Sequence, residues 1–105
     1  MNTLRTNINT METMNLIEKI LDNHDYSYSS VYQRFTRGMI RVQYDFKKDL
    51  KDLSGYECGM LIATKMLLNN YGIIAAVEIK DAKGNVKILF RNDFDEIRKR
   101  NDLVV

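Results

Sequence analysis

The sequence predicts a small α+β domain: two helix–hairpin units (αββ–αββ) plus a C-terminal helix, with one antiparallel sheet and the helices packed on one face. Two segments carry apolar residues at helical spacing, and each is followed by segments in which apolar and polar residues alternate. A glycine lies at each predicted strand-to-strand turn. A chain of 105 residues fits a single domain, and its content of 45% hydrophobic and 29% charged residues is ordinary for a globular protein.

The first unit begins after a polar segment. Residues 1–9 are rich in Asn and Thr, which predicts a flexible arm. Apolar residues at helical spacing then predict a helix over about 11–23. Residues 26–33 have no helical period and indicate a strand, while 40–46 alternate strictly between apolar and polar residues. Gly38 marks the turn between these two strands.

The second unit opens on a clear helix start. Ser54 and Glu57 have the spacing of a capping box and stand directly before an apolar run. The predicted helix covers about 55–70 and ends at Gly72, a residue typical of helix C-termini. Because the helix is apolar on most sides, we expect it at the centre of the core.

The rest of the chain predicts a second hairpin and a last helix. Residues 73–80 are rich in β-branched side chains, 81–84 form a tight loop, and 86–90 alternate as a returning strand. Acidic residues followed by basic ones over about 93–101 suit the dipole of a short helix.

The two units resemble each other under a gapless shift of 46 positions. The shift aligns Val31 with Val77, Gly38 with Gly84, and the strand at 40–44 with that at 86–90. One interpretation is an internal duplication. The other is that any two helix–hairpin units share such a pattern, because cores and turns require it.

Composition limits the compartment and the chemistry. A single cysteine, Cys58, excludes an internal disulfide framework and predicts a reducing, cytoplasmic location. The first fifteen residues contain no apolar run, so no secretory signal is expected, and no apolar stretch is long enough to span a membrane.

Catalytic and metal-binding motifs are not expected from this sequence. His24 and Cys58 are the only residues of their kinds, and nothing in their spacing brings them together as a nucleophile and a base. One His and one Cys cannot alone hold zinc, and no phosphate-binding glycine motif occurs. We therefore expect a protein that is not an enzyme and has no cofactor or metal; a Cys58-dependent enzyme is the remote alternative.

An aromatic and basic cluster carries the main functional prediction. The tyrosines of the first strand lie on one side of it, and Val31 lies on the other. Since Val31 aligns with Val77 on an apolar face, we expect the tyrosines to face away from the core. Tyrosine and arginine are enriched at protein interfaces. The predicted partner-binding residues are Tyr26, Tyr28, Tyr32, Arg34, Phe35, Arg37 and Arg41. If the rings instead face inward, the basic residues form only a solvated surface.

The sequence thus predicts a non-catalytic protein-binding module. Its small size and Asn-, Lys- and Met-rich composition suggest a phage-type or mobile-element inhibitor. Such a protein would cover or imitate a surface on a host defence enzyme or a nucleic-acid-processing enzyme. An exposed sheet edge would also allow pairing with a partner strand or, in a homodimer, with a second copy.

Direct nucleic-acid binding is the alternative function. Between Arg34 and Lys51 the chain has six basic and two acidic residues, a local excess of four positive charges. Basic hairpin tips would then contact phosphates. The residues predicted for this role are Arg34, Arg37, Arg41, Lys80, Lys83 and Lys87.

Overall fold

The structure is a computed structural model that describes the backbone of residues 3–23 and 31–100 and the side chains of residues 9–23 and 31–100. These residues form a small α+β domain, as predicted. The elements are α1 (Thr3–Asn23), β1 (Val31–Thr36), β2 (Met39–Asp45), a 3-10 turn (Leu50–Asp52), α2 (Gly55–Asn70), β3 (Ala75–Lys80), β4 (Val86–Ile88) and α3 (Arg91–Arg100).

The four strands form one mixed sheet in the order β1-β2-β3-β4. The two outer pairs, β1–β2 and β3–β4, are antiparallel, but the central pair β2–β3 is parallel. The prediction of a wholly antiparallel sheet is therefore wrong at its centre. Helix α2 is the reason, because it carries the chain from the end of β2 back to its beginning, where Ala75 lies opposite Ile40. The two hairpin turns consequently lie at opposite ends of the sheet.

One face of the sheet packs against the helices. The inward side chains of β2 and β3 form a single core with residues from all three described helices. Inside it, the hydroxyl groups of Tyr44 and Thr64 lie 2.6 Å apart, and Thr64 donates to the carbonyl oxygen of Met60. The sheet residues of this core are Ile40, Val42, Tyr44, Ala75, Val77 and Ile79. No helix in the described part of the chain is long and apolar enough to cross a membrane.

The N-terminal region differs from its prediction. Helix α1 begins at Thr3, so residues 3–9, predicted as part of a flexible arm, belong to the helix. Polar composition suggested an arm, but no glycine or proline precedes Gly38, so the local sequence contains no strong helix breaker. The first strand is described over Val31–Thr36 and so extends three residues beyond the predicted end at 33; residues 26–30 of that prediction lie outside the described residues.

The second hairpin limits the resemblance between the two units. Val86 and Ile88 lie opposite Lys80 and Glu78, on the face away from the helices. Their counterparts under the 46-residue shift, Ile40 and Val42, face the core instead. The pairing of β3 with β4 is displaced by one residue from the pairing that the shift implies, and such a displacement turns every side chain to the other face. The element order αββ repeats, but the predicted match of the returning strands fails.

The start of α2 agrees with the sequence prediction. The Ser54 hydroxyl accepts a hydrogen bond from the Glu57 N–H at 3.1 Å, and the Glu57 carboxylate accepts one from the Ser54 N–H at 2.8 Å. This is a complete capping box. At the other end Gly72 has a φ of 68°, a conformation that favours glycine.

The capping box makes the domain sensitive to acid. Burial raises the pKa of Glu57, but hydrogen bonds from the Ser54 backbone, Lys48 and the Ser54 hydroxyl, with the Lys48 charge, outweigh it and the pKa is lowered. Because the pKa of Glu57 is lower in the folded state than in the unfolded state, its ionised carboxylate stabilises the fold at neutral pH. As the pH falls through the folded pKa, Glu57 becomes protonated and this stabilisation is lost.

We therefore expect Glu57→Gln to reduce the free energy of unfolding by about 0.5 kcal/mol at pH 7 and by less near pH 3. Urea unfolding at the two pH values measures this difference. The control is Glu96→Gln, since Glu96 is exposed on α3. An equal loss from Glu57→Gln at both pH values would contradict the role of its charge.

Candidate functional site

The outer face of the sheet, away from the helices, is mostly polar on β1 and β2, while β4 adds Val86 and Ile88 to it. This face carries Tyr32, Arg34, Arg41, Gln43 and Glu78, which the strand register places side by side. Tyr32 is 42% exposed and lies on this face, so its ring is directed away from the core as predicted. The other two tyrosines of that prediction lie outside the described residues.

A buried carboxylate holds two arginines on this face. Glu78 is fully buried, and its carboxylate lies 3.1 Å from the Nη1 atom of Arg41 and 3.2 Å from the Nη2 atom of Arg34. Arg41 also donates to the carbonyl oxygen of Thr36 at 3.3 Å. We call Glu78, Arg34 and Arg41 the Glu78 network; a buried carboxylate requires such compensation.

The network restricts the predicted partner-binding role of Arg41. Its side chain is only 10% exposed, whereas that of Arg34 remains 44% exposed. Arg41 therefore shares the outer face, as expected, but offers little surface to a partner. Next to it, Gln43 donates a hydrogen bond to the Tyr32 hydroxyl, which fixes the ring at the edge of this face.

Large apolar side chains are exposed at the end of the domain where β1 turns into β2. They surround a groove of about 710 Å³ between α1, this hairpin and the loop that leads into β3. Ile74 is 86% exposed and Phe35 is 42% exposed. We call this the hairpin-end surface, and its exposed apolar residues are Leu16, Phe35, Met39, Tyr71 and Ile74. Contiguous apolar exposure of this kind marks interaction sites.

Arg37 lies at the rim of the hairpin-end surface. It forms a two-residue turn with Gly38, and both have positive φ angles, 54° and 72°. This geometry matches the twist of the two strands but costs a non-glycine residue about 1 kcal/mol. Arg37 is exposed and lies two residues after Phe35 in the chain.

Sequence reasoning found only part of the hairpin-end surface. Phe35 was predicted as a contact, and Arg37 was predicted beside it. Leu16, Met39, Tyr71 and Ile74 were missed. Leu16, Tyr71 and Ile74 come from segments that are distant from Phe35 in the sequence and meet it only in the fold. The one available signal was Ile74, an isoleucine directly before the alternating segment and out of phase with its apolar side.

The cations predicted to contact nucleic acid are divided between the two ends of the sheet. Arg37 lies in the first turn, while Lys80 and Lys83 lie at the second. The paired segments of β2 and β3 separate the turns by about 17 Å, at roughly 3.3 Å per residue. The two tips therefore do not form one continuous basic patch.

Three further cations of that prediction have acidic partners. Arg34 and Arg41 belong to the Glu78 network, and the Lys87 ammonium lies 3.6 Å from the Asp93 carboxylate. Lys87 also lies opposite Ile79, on the helix side of the sheet, rather than beside Arg41 on the outer face. A phosphate would have to compete with these carboxylates.

Of the two residues considered for catalysis, the structure describes only Cys58. Cys58 is fully buried near the start of α2, and the Nη2 atom of Arg100 lies 3.3 Å from its sulfur. His24 lies outside the described residues. Among the described residues no group of three potential metal ligands occurs.

Comparisons with known proteins add no further constraint. No protein-family model, curated protein or solved structure matches the chain. The function is therefore inferred from the surfaces described above.

Proposed function

We propose that the protein is a non-catalytic protein-binding module that binds its partner through the hairpin-end surface. The observation that supports this most strongly is the convergence of five exposed apolar side chains around one groove. Burying each large apolar side chain contributes about 1.5–3 kcal/mol, so a partner that covers several of them gains substantial affinity.

The composition of the surface supports a protein partner. Aromatic residues, methionine and arginine are enriched in protein interfaces, and Phe35, Met39, Tyr71 and Arg37 represent all three classes. The groove offers a concave site for an anchoring side chain, which is where binding energy concentrates in such interfaces.

The outer face extends this surface along the same strand. Tyr32 and Arg34 precede Phe35 on β1 but point to the opposite side, so a partner that wraps around the hairpin can reach them. In the inhibitor version of the proposal, this phage-type protein covers or imitates a surface on a host defence enzyme or a nucleic-acid-processing enzyme. Its mode of action would then be steric occlusion without catalysis.

The proposal predicts that Ile74→Asp abolishes capture of a specific partner. Ile74 is 86% exposed, so a charge there disturbs the surface with little effect on folding. Tyr56→Asp is the matched control, because Tyr56 is 73% exposed at the start of α2. Affinity capture from native host cells, with nuclease added, should recover a protein that Ile74→Asp loses and Tyr56→Asp keeps.

A direct affinity measurement with the purified partner completes this test. We expect Ile74→Asp to raise the dissociation constant at least about 10-fold, with little change at higher salt. Equal capture by both variants would exclude the hairpin-end surface. Material that nuclease removes, and that dissociates steeply with salt, would favour the nucleic-acid alternative.

A further inference from the structure

Within the described ranges 3–23 and 31–100, strand β1 presents an open edge. It is the first strand of the sheet order, and its only partner among the described residues is β2. Because the turn has two residues, the flanking pair Thr36 and Met39 is hydrogen bonded, and hydrogen-bonded pairs then alternate along the hairpin. The N–H and C=O groups of Val31, Gln33 and Phe35 are therefore directed away from β2, toward the open edge.

A groove of about 380 Å³ lies between this edge and helix α1. Its lining mixes apolar and polar residues, and its helix side is acidic, because Glu18 and Asp22 stand one helical turn apart on the same side of α1. None of the described residues around the groove is basic. The lining consists of Met14, Asn15, Glu18, Leu21, Asp22, Val31, Tyr32 and Gln33.

Gln33 brings an unused acceptor to this groove. Its Nε2 atom donates to the carbonyl oxygen of Met14 at 2.8 Å, while its Oε1 atom is buried and has no hydrogen-bond partner among the residues that the structure describes. A buried acceptor without a donor costs about 1–3 kcal/mol. A donor from a bound molecule would remove this cost.

The opposite side of the same edge has the opposite charge. Arg34 stands on the outer face with 44% of its side chain exposed, and the Glu78 network has two guanidinium groups for one carboxylate. A strand added to β1 would thus meet acidic groups on the helix side and a positive group on the outer side. Alternate residues of such a strand point to these two sides.

We propose that the open edge of β1 binds an extended segment of a partner protein as a fifth strand of the sheet. The segment carries Lys or Arg on the side that faces Glu18 and Asp22, and Asp or Glu on the side that faces Arg34. Backbone hydrogen bonds with Val31, Gln33 and Phe35 supply affinity, and the two charged sides supply specificity. This inference rests on the proposed binding function but assigns it a second surface, the edge of β1, which shares Phe35 with the hairpin-end surface.

A second copy of the chain fits this edge poorly. Two-fold pairing of β1 with its own copy would bring the two α1 helices to the same side of the joined sheet. The acidic rims, Glu18 and Asp22 from each copy, would then face each other. Like charges across an interface are unfavourable, so the charge pattern selects a different, basic segment.

The test uses a phage-displayed library of random twelve-residue peptides, panned against the whole protein. We expect recovered peptides to alternate basic and acidic residues. Their affinity should fall at least 10-fold when Glu18→Lys and Asp22→Lys are combined. Glu12→Lys is the matched control, because Glu12 is exposed on α1 but does not line the groove. Gln33→Pro, which removes one outward N–H, should weaken binding similarly.

Several results would overturn the inference. One is a library that yields no enriched peptide. Another is peptides that bind the Glu18→Lys/Asp22→Lys variant as tightly as they bind the original protein. A third is a dimer, detected by sedimentation, that Gln33→Pro dissociates. Ile74→Asp separates this surface from the proposed function, since it should leave peptide binding unchanged. If Ile74→Asp abolishes peptide binding, the peptides occupy the hairpin-end surface, which supports the proposed function and refutes the added strand.

Discussion

Replacing Glu78 by alanine is expected to lower the free energy of unfolding by about 4 kcal/mol. Glu78 is fully buried, and its carboxylate is the acidic partner of both Arg34 and Arg41. Arg34 can turn toward water after the substitution, but Arg41 cannot, because its side chain is 10% exposed. The cost is that of a charged guanidinium left buried without its carboxylate. Chemical denaturation followed by circular dichroism measures the change.

A double variant distinguishes the charge effect from a packing defect. Replacing Glu78 and Arg41 together by leucine removes both buried charges, and well-packed apolar pairs of this kind are commonly as stable as the ion pair they replace. We expect the double variant to recover most of the stability that Glu78→Ala loses. If Glu78→Ala costs less than about 1 kcal/mol, Arg41 has another way to be solvated and the network is not structural.

Replacing Leu61 by alanine is expected to lower the free energy of unfolding by about 3 kcal/mol. Leu61 is fully buried on α2, the helix that connects β2 to β3. Truncation removes transfer free energy and leaves a cavity that the surrounding sheet and helices fill only in part. Equilibrium unfolding in urea gives the loss directly.

The matched control for Leu61 lies on the same helix. Met66 is 37% exposed, so Met66→Ala deletes a side chain of similar volume at a site that water can already reach. We expect a loss of less than about 1 kcal/mol there. Similar losses from the two substitutions would mean that α2 does not pack as the central element of the core.

Local sequence signals predicted the second helix accurately. Ser54 and Glu57 identified its start, and Gly72 identified its end, because caps depend on residues that are neighbours in the chain. The inward alternation of Ile40, Val42 and Tyr44 was equally local, since a strand with one buried face has a period of two.

Relations between distant segments were beyond sequence reasoning. The parallel pairing of β2 with β3 depends on how α2 crosses the sheet, and no residue in either strand encodes this direction. The one-residue register difference of β4 likewise turned Val86 and Ile88 to the outer face. The sequence analysis assigned no role to Glu78, and its burial is explained by the two arginines from the other hairpin.

The candidate surfaces were likewise predicted only where their residues are close together in the sequence. Phe35 and Arg37 were predicted because they are close in sequence to the aromatic and basic cluster. Ile74 and Tyr71 were not, because their proximity to Phe35 is a product of the fold. The acidic rim formed by Glu18 and Asp22 required the position of α1 relative to β1, which sequence spacing does not give.

The opposite placement of the two chain reversals has a practical consequence for attaching the molecule to a sensor. The loop at 81–85 is closed by its own bonds, with the Asp81 carboxylate accepting from the Lys83 and Asn85 N–H groups at 2.9 Å each. A dye or surface tether introduced at Lys83 would sit at the far pole from Phe35 and Ile74. Molecules immobilised this way would all present the apolar pole to the solution, unobstructed and in one orientation.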